Sequence, residues 1–336
     1  KVGDQTIKAD KIFIVSGARP QIPKIKGIEN VRYLTSDTVL ELETLPKSMV
    51  IVGGGYAAVE YARCFASMGT KVAIIQRNLK ILPDEEPEIS ELLRAEMEKK
   101  IEIFTNYEAV EATEKNGVKT VVARKLDNGQ TREFSAEALL VAAGRVPNSD
   151  ILKPEKTGVE LGKRGFVKAN EYLETRKKNI WALGDAIGKE MFKHVANYEA
   201  EVAWHNSEHE HKVKVDYSAA PHAVFTHPQV ASVGLKEAEA KQQGHKILVG
   251  TALYRDTAQG AAMGKPNGFV KVIIEQETGK LLGGHIIGPF AAMLIQEIIN
   301  AMASEDKTFM PIIRGLHIHP AMTEVVQKAF GNLREA

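Results

Sequence analysis

The feature that most constrains this chain is a glycine turn with the spacing Gly53-x-Gly55-x-x-Ala58. An apolar run precedes the turn, a helical pattern covers residues 56–68, and a second apolar run covers residues 71–76. In such a βαβ unit the first glycine allows a tight turn, the second lets the backbone approach a pyrophosphate, and the small third residue lets helix and strand pack closely. Since a helix N-terminus also favours phosphate, the turn predicts a dinucleotide-binding domain. A purely structural tight turn is the alternative.

The choice of nucleotide is read near the end of the second strand, where an acidic residue commonly binds the ribose hydroxyls of NAD. Here Gln76 and Arg77 take that place. Without an acid a 2′-phosphate meets no repulsion, and a guanidinium can pair with it. The sequence therefore favours NADP over NAD, the alternative being that Arg77 is only a surface cation.

Length and composition limit the class of protein. At roughly 100–200 residues per domain, 336 residues predict two or three domains. A charged fraction of 26% and a net charge of +1 give no electrostatic footprint for nucleic acid. No apolar run approaches the roughly 20 residues that span a bilayer, so we expect no membrane partner and a cytoplasmic location. We also expect no metal site, because the cluster of His205, His209 and His211 fits a polar helix end.

The rest of the chain predicts further α/β units. A β-branched run at residues 11–15 ends in a turn-rich segment, and the run NIWALGD is another strand that ends in Gly184-Asp185, as if an earlier domain were re-entered. From Pro221 onward the texture is that of an α+β domain. Further expected elements are helices at residues 87–100, 291–304 and 323–330, and strands near Ile101 and at residues 120–126, 138–142, 222–226, 269–275 and 281–287.

Six motifs together resemble the class I pyridine nucleotide-disulfide oxidoreductases, the flavoprotein family that includes dihydrolipoamide dehydrogenase, glutathione reductase, mercuric reductase and mycothiol-disulfide reductase. In chain order the motifs are GGGYAAVE, AAGRVPN, ALGDA, PHAVFTHPQVASVG, GGHIIGP and HIHPAMTE. The resemblance implies an α/β fold with two Rossmann-like domains, one for FAD and one for NAD(P), and a C-terminal α+β dimerisation domain. Residues 1–45 and 149–217 would form the FAD domain, residues 46–148 the NAD(P) domain, and residues 218–336 the dimerisation domain.

The resemblance also implies flavin contacts. The strand that ends at Ser16-Gly17 would lie beside the flavin, and Asp185 would accept a hydrogen bond from the FAD ribitol chain, although a Gly-Asp pair after a strand can also be a plain turn. Gly144, where AAGRVPN closes the nucleotide-binding unit, is counted with the cofactor-binding residues. The segment that would pass the isoalloxazine comprises Met191, Phe192, Lys193 and His194.

Two residues of the first helix match positions on the nicotinamide side. Tyr56 matches a tyrosine that in glutathione reductase covers the flavin until nicotinamide displaces it; a core aromatic is the alternative. Glu60 matches a glutamate placed near the nicotinamide. Its family partner is a lysine in an opening segment that this chain does not show.

His319 and Glu324 form the candidate acid–base pair. A histidine titrates near neutrality, so it can exchange a proton with a thiol, and a carboxylate on its other ring nitrogen fixes the tautomer. The resemblance implies that this histidine enters the active site of the other subunit, which makes a homodimer through the C-terminal domain a condition of activity. A structural histidine in a His-Pro turn is the alternative.

The chain departs from the family at its redox centre. The cysteine pair that reacts with the substrate and the glycine fingerprint for the FAD pyrophosphate are both absent, and we expect that Lys1 lies inside a longer natural polypeptide. The single cysteine, Cys64, falls on the helix after the glycine turn, where we expect a small buried residue.

The expected function is FAD-dependent transfer of electrons between NAD(P)H and a thiol/disulfide, with dihydrolipoamide or a lipoyl domain as the first candidate substrate. One alternative is reduction of a low-molecular-weight disulfide. A second, if the opening segment is genuinely lacking, is a non-catalytic nicotinamide-binding or assembly subunit. A third is a flavin oxidase that passes electrons to oxygen.

Overall fold

The computed structural model describes residues 3–336, apart from the side chain of Glu155. The chain divides into two compact units. One contains the described residues up to Gln21 together with Arg145–Tyr217, and the other contains Ile22–Gly144 and Ser218–Ala336. The finer division into FAD, NAD(P) and dimerisation domains stays a prediction.

Strands and helices alternate along the chain, which confirms the predicted α/β class. The strands are β1 Ile12–Ile14, β2 Ala18–Pro20, β3 Ser48–Val52, β4 Lys71–Gln76, β5 Ile101–Thr105, β6 Tyr107–Lys115, β7 Val118–Lys125, β8 Thr131–Ala136, β9 Ala138–Val141, β10 Arg145–Pro147, β11 Ile180–Ala182, β12 Pro221–Val224, β13 Gln229–Gly234, β14 Ile247–Leu253, β15 Phe269–Glu275, β16 Leu281–Gly288 and β17 Arg334–Glu335. The helices are α1 Tyr56–Ser67, α2 Pro87–Met97, α3 Ser149–Leu152, α4 Lys193–Glu208, α5 Glu237–Gln242, α6 Ala258–Ala262, α7 Ala291–Met302, α8 Met310–Arg314 and α9 Glu324–Gly331.

In the first unit, β1 pairs in parallel with β11, and β2 pairs antiparallel with β10. The pairing of β1 with β11 joins parts of the chain that are far apart in sequence. Both strands are short and apolar, so each is stable only when it is paired and covered. Ile14 and Ile180 are buried in the same cluster. This pairing positions the segments that follow the two strands: Ser16 and Gly17 come after β1, and Asp185 comes after β11.

In the second unit, a parallel sheet of order β5-β4-β3-β9 carries the glycine turn. The central strand β3 is buried on both faces. Met49 and Ile51 pack into a cluster with α1, whereas Val50 and Val52 pack toward the antiparallel sheet β6-β7-β8. A parallel strand covered on both faces reads as a continuous apolar run, which is why β3 was visible in the sequence.

The C-terminal part of the second unit is a six-stranded antiparallel sheet of order β12-β13-β16-β15-β14-β17. The helices α7 and α9 contribute Leu294, Ile298, Val325 and Phe330 to its core. The predicted strands at residues 269–275 and 281–287 and the two predicted C-terminal helices are confirmed to within two residues at each end.

The expectation for Cys64 was wrong, because the cysteine is exposed. The inward positions of α1 are Ala58, Val59, Ala62 and Phe65, which follow helical spacing. Cys64 falls between two of these positions and therefore lies on the outer face.

Candidate functional site

The first glycine of the turn is required by the fold itself. Gly53 has a φ of 126°, and a Cβ placed on it would lie 2.1 Å from the carbonyl oxygen of Ala142. No side chain fits so close to another backbone. The turn is therefore packed directly against the segment that follows β9.

The protein's own packing does not require a glycine at position 55. Its φ of −83° suits any residue, and a Cβ placed on it would meet nothing within 4 Å. The free space lies at the N-terminus of α1, where Gly55 is the N-cap residue and no side chain caps the helix. Ala58, one turn further, is fully buried. An open backbone approach at a helix N-terminus fits a dinucleotide pyrophosphate.

Gln76 and Arg77 diverge at the end of β4. Gln76 is buried, its Nε2 donates to the carbonyl of Lys80 at 3.2 Å, and its side chain packs against Gly54. Arg77 is exposed and lines an open cleft of about 460 Å³ with Lys80. Arg77, which is charged and exposed, can thus reach a ligand, whereas the buried Gln76 is engaged within the protein.

Tyr56 and Glu60 are held by the strand β12 and the residues after it. Tyr56 is 36% exposed, and its ring lies 5.9 Å from that of His222, centroid to centroid. Glu60 accepts a hydrogen bond from the backbone N–H of Phe225 at 2.7 Å. Burial raises the pKa of Glu60, and the Phe225 hydrogen bond only partly opposes this effect. No role was predicted for His222, although it lies in the motif PHAVFTHPQVASVG.

Gly144, the remaining predicted residue of the second unit near this turn, adopts a φ of 114° beyond the end of β9. Its backbone conformation suits glycine.

In the first unit, the predicted flavin residues lie around Arg145. Its Nε is 3.5 Å from Oδ2 of Asp185, and its Nη2 donates to the carbonyl of Ala18 at 2.5 Å. The carbonyl of Ser16 accepts a hydrogen bond from Nδ2 of Asn148 at 3.0 Å, and the carbonyl of Gly17 accepts one from the backbone N–H of Asn148 at 3.1 Å. The structure thus brings Ser16, Gly17 and Asp185 to one place, with Arg145 as a residue the sequence reasoning missed.

Two polar atoms of this group have no hydrogen-bond partner among the described residues, although both are buried. They are the hydroxyl oxygen of Ser16 and Nε of Arg145. Buried polar groups are normally satisfied, so an orphaned pair beside a partly exposed carboxylate fits a polar ligand such as the ribitol and phosphate groups of FAD. The backbone N–H of Gly184 donates to Oε2 of the buried Glu199 at 2.5 Å, which fixes the turn before Asp185.

The predicted isoalloxazine segment lies at the start of α4. Phe192 is the N-cap residue, and its ring stacks on that of His194 at 5.7 Å. The Nζ of Lys193 donates to Oδ1 of Asn197 at 2.5 Å. Met191 is exposed.

His319 and Glu324 are in direct contact. Nδ1 of His319 lies 2.9 Å from Oε1 of Glu324, whose Oε2 accepts the backbone N–H of Ala321 at 3.1 Å. The hydrogen bonds from His319 and Ala321 hold the pKa of Glu324 below its ordinary value. The carboxylate is therefore ionised and aligned on the imidazole, as an acid–base pair requires.

The histidine cluster lies at the C-terminal end of α4 and just beyond it. The rings of His205 and His209 stack at 4.4 Å, and Nε2 of His205 meets the carbonyl of His211 at 3.0 Å. Within residues 3–336 the structure shows no group of three or more His, Cys, Asp or Glu residues that could hold a metal ion. In the same range, no helix is long and apolar enough to cross a membrane.

Each unit thus brings predicted cofactor residues together, and the contact between His319 and Glu324 lies near the C-terminal end of the second. The chain belongs to the pyridine nucleotide-disulphide oxidoreductase family: the family model of that description matches residues 1–200, and the model of its dimerisation domain matches residues 220–330. Members of this family are oxidoreductases that use FAD and NAD(P)H, as predicted. The dimerisation-domain match supports a homodimer.

Particular relatives include a mycothione reductase of Mycobacterium tuberculosis, which is 39% identical over 332 residues, covering 97% of this chain and 71% of that protein. A dihydrolipoyl dehydrogenase of Synechocystis is 35% identical over 345 residues, covering 98% and 72%. Among solved structures, the HOCl-induced flavoprotein disulfide reductase RclA from Escherichia coli has a TM-score of 0.88 at 27% identity, covering 98% of this chain and 75% of that one.

Proposed function

We propose that this protein exchanges hydride with NADP(H) through FAD and exchanges electrons with a small thiol/disulfide, using His319 to move the proton. The observation that carries the proposal is the 2.9 Å contact between His319 and Glu324. Glu324 occupies Nδ1 of the imidazole, so Nε2 is the atom that would accept a proton from a thiol or return one to a thiolate.

Glu324 acts on His319 in two ways. Its lowered pKa keeps a negative charge beside the ring, which stabilises the imidazolium formed when the thiol loses its proton. Its second oxygen is fixed by the N–H of Ala321, so the ring orientation is set before the substrate arrives.

For the nucleotide, the proposal assigns the pyrophosphate to the open backbone at Gly55 and the 2′-phosphate to Arg77. The fully buried Ala58 keeps α1 close to the sheet. Gln76 supports the choice of NADP over NAD, because its amide is engaged with Lys80 and it adds no negative charge. Tyr56 and Glu60 would lie on the nicotinamide side of this turn.

For the flavin, Ser16, Gly17, Asp185 and Arg145 would hold FAD through the polar atoms described above, with residues 191–194 beside the ring. FAD supplies the hydride and electron-transfer chemistry that no side chain can provide. The 336 residues contain one cysteine, so the proposal assigns to them cofactor binding and proton transfer, and not the thiol that attacks the substrate.

The proposed substrate is one of two. Dihydrolipoamide, free or on a lipoyl domain, is the first, supported by the His317–Pro320 sequence HIHP and by the similarity to dihydrolipoyl dehydrogenases. A low-molecular-weight disulfide is the second, and the 39% identity to a mycothione reductase favours it. Neither non-catalytic nucleotide binding nor a flavin oxidase accounts for the aligned pair of His319 and Glu324.

The proposal includes a homodimer and a cytoplasmic location. Leu316 and Ile318, which flank His317 just before the acid–base pair, are both exposed apolar side chains. Exposed apolar groups beside a functional residue are typical of a surface that a partner covers. The single cysteine suits a reducing compartment.

The test is a matrix of four steady-state assays on an FAD-loaded polypeptide that contains these 336 residues together with a redox cysteine pair. NADP+ and NAD+ are each paired with dihydrolipoamide, and NADPH and NADH are each paired with a small-thiol disulfide. We expect turnover with at least one substrate and a higher kcat/KM with the phosphorylated nucleotide. FAD-loaded protein that turns over neither substrate with either nucleotide would contradict the proposed function.

A further inference from the structure

The imidazole of His222 is anchored by a buried carboxylate. His222 lies on β12, and its Nε2 is 2.5 Å from Oε1 of Glu85. Oε2 of Glu85 accepts the hydroxyl of Ser232 at 2.6 Å, and the Glu85 side chain is only 1% exposed. A carboxylate with both oxygens bonded in the protein interior fixes the position of its partner.

The same imidazole contacts Tyr56. The two rings lie 5.9 Å apart at an angle of 33°. Tyr56 is the first residue of α1 and directly follows Gly55. His222 therefore connects the first side chain after the glycine turn to an anchor in the interior.

The backbone around Tyr56 is held independently of His222. The N–H of Leu82 donates to the carbonyl of Gly54 at 2.8 Å, and the N–H of Phe225 donates to Glu60 at 2.7 Å. These bonds fix the turn and the first two turns of α1. These bonds act on the backbone and on Glu60, whereas His222 lies against the Tyr56 ring itself.

We propose that His222, held by Glu85, is a positioning residue for Tyr56 and lowers the affinity of the turn for the nicotinamide half of its nucleotide. This inference rests on the proposed function, in which the pyrophosphate lies over Gly55. The nicotinamide half binds next to the Tyr56 ring and must displace it. Since His222 holds the ring in place in a fraction of the molecules, the apparent affinity for the nicotinamide half is reduced. The adenosine half, which is bound near Arg77, does not meet this ring.

The experiment compares two ligands by isothermal titration calorimetry of the FAD-loaded protein: NADP+ and 2′-phospho-ADP-ribose, which lacks the nicotinamide. The variant is His222→Gln, which keeps a donor for Glu85 and removes the aromatic ring. Loss of one aromatic contact should lower the Kd for NADP+ by about two- to tenfold. The Kd for 2′-phospho-ADP-ribose should not change.

Two controls separate positioning from a general structural role. Ser232→Ala removes the other hydrogen bond to Glu85 without touching Tyr56, and it should leave the ratio of the two Kd values as in the wild type. In a Tyr56→Ala background, His222→Gln should no longer alter that ratio, since the ring on which it acts is gone.

The outcomes are distinct. An unchanged ratio in His222→Gln, an equal weakening of both ligands, or a weaker NADP+ would each overturn the inference while leaving the proposed function standing. The inference and the proposed function would both be overturned if the wild-type protein bound none of four ligands: NADP+, 2′-phospho-ADP-ribose, NAD+ and ADP-ribose.

Discussion

Two histidine–glutamate pairs in the second unit make the same kind of contact, ring nitrogen to carboxylate, in different surroundings. His319 and Glu324 are 2.9 Å apart with side chains 70% and 18% exposed, whereas His222 and Glu85 are 2.5 Å apart with side chains 21% and 1% exposed. An exposed imidazole can exchange its proton with a substrate, while a buried pair is costly to disturb and so fixes its neighbours. Burial, more than the contact itself, separates the proton carrier from the anchor.

The buried pair belongs to a larger charged cluster. Lys271, with a side chain 4% exposed, contacts carboxylates of Glu86, Glu88 and Glu237 at 3.3, 3.1 and 2.8 Å. Burial lowers the pKa of Lys271, but the three carboxylates outweigh it and raise the pKa above its ordinary value. The cluster joins the segment before α2 to the C-terminal sheet, so it stabilises the platform that holds Glu85.

The largest expected effect comes from removing the buried cation. Lys271→Met should lower the free energy of unfolding by about 3–5 kcal/mol, because it leaves Glu86 charged and buried without its partner. The matched control is Lys246→Met, which breaks an exposed ion pair with Glu277 and should cost no more than about 1 kcal/mol. Urea unfolding of both variants gives the comparison, and equal losses would contradict the role given to burial.

The two glutamates should respond in opposite ways to the same substitution. Glu85→Gln weakens a buried charged hydrogen bond and should lower the free energy of unfolding by about 1–3 kcal/mol. Glu324→Gln should leave unfolding unchanged and slow the thiol/disulfide half-reaction. Urea unfolding and stopped-flow kinetics on both variants measure this, and a Glu324→Gln variant that unfolds early but reacts normally would refute the assignment.

The comparison extends to an exposed cation. Arg77→Ala should raise the Kd for NADPH by about tenfold or more, the size of a charged hydrogen bond to phosphate, and leave the Kd for NADH unchanged. Unlike Lys271→Met, it should not affect stability. An equal loss of affinity for both nucleotides would exclude the phosphate role of Arg77.

The smallest expected effect is a pH dependence. Burial lowers the pKa of His285 below 6.5, although the carbonyl of Leu235 and the carboxylates of Glu86 and Glu85 oppose this. The native state therefore binds this proton only at a lower pH than the unfolded state does. The free energy of unfolding is highest above pH 6.5 and decreases as the pH falls below that value.

The check is chemical unfolding between pH 7.5 and pH 5.5 of wild type and His285→Gln, which keeps a donor for Leu235. The wild type should lose stability more steeply than the variant, by at most about 1.4 kcal/mol per pH unit for one proton. Parallel slopes would show that His285 does not contribute.

Some elements were predictable because local pattern and final environment agree. The turn from Gly53 to Ala58 combines an apolar strand, two glycines and a helical pattern, and the pair His319 and Glu324 is only five residues apart. The strands β6 and β8 were missed because their exposed positions carry Lys, Glu, Arg and Thr, which conceal the alternation.

The remaining parts depend on contacts between residues distant in sequence. Glu85 and His222 are 137 residues apart, and nothing in either segment marks the other as its partner. Arg145 lies in the motif AAGRVPN, but its approach to Asp185 follows from the pairing of β1 with β11 and of β2 with β10. Cys64 was misplaced because a shift of one residue along α1 moves a side chain from the core to the surface.

The central claim, that His319 moves the proton of the thiol, is tested most directly by stopped flow on His319→Gln. Both half-reactions are measured in a polypeptide that contains these 336 residues together with a redox cysteine pair. Flavin reduction by NADPH should stay within about twofold of the wild type, while the reaction with the thiol or disulfide substrate should slow by at least about a hundredfold. If both half-reactions slowed together, or neither did, His319 would not be the proton carrier.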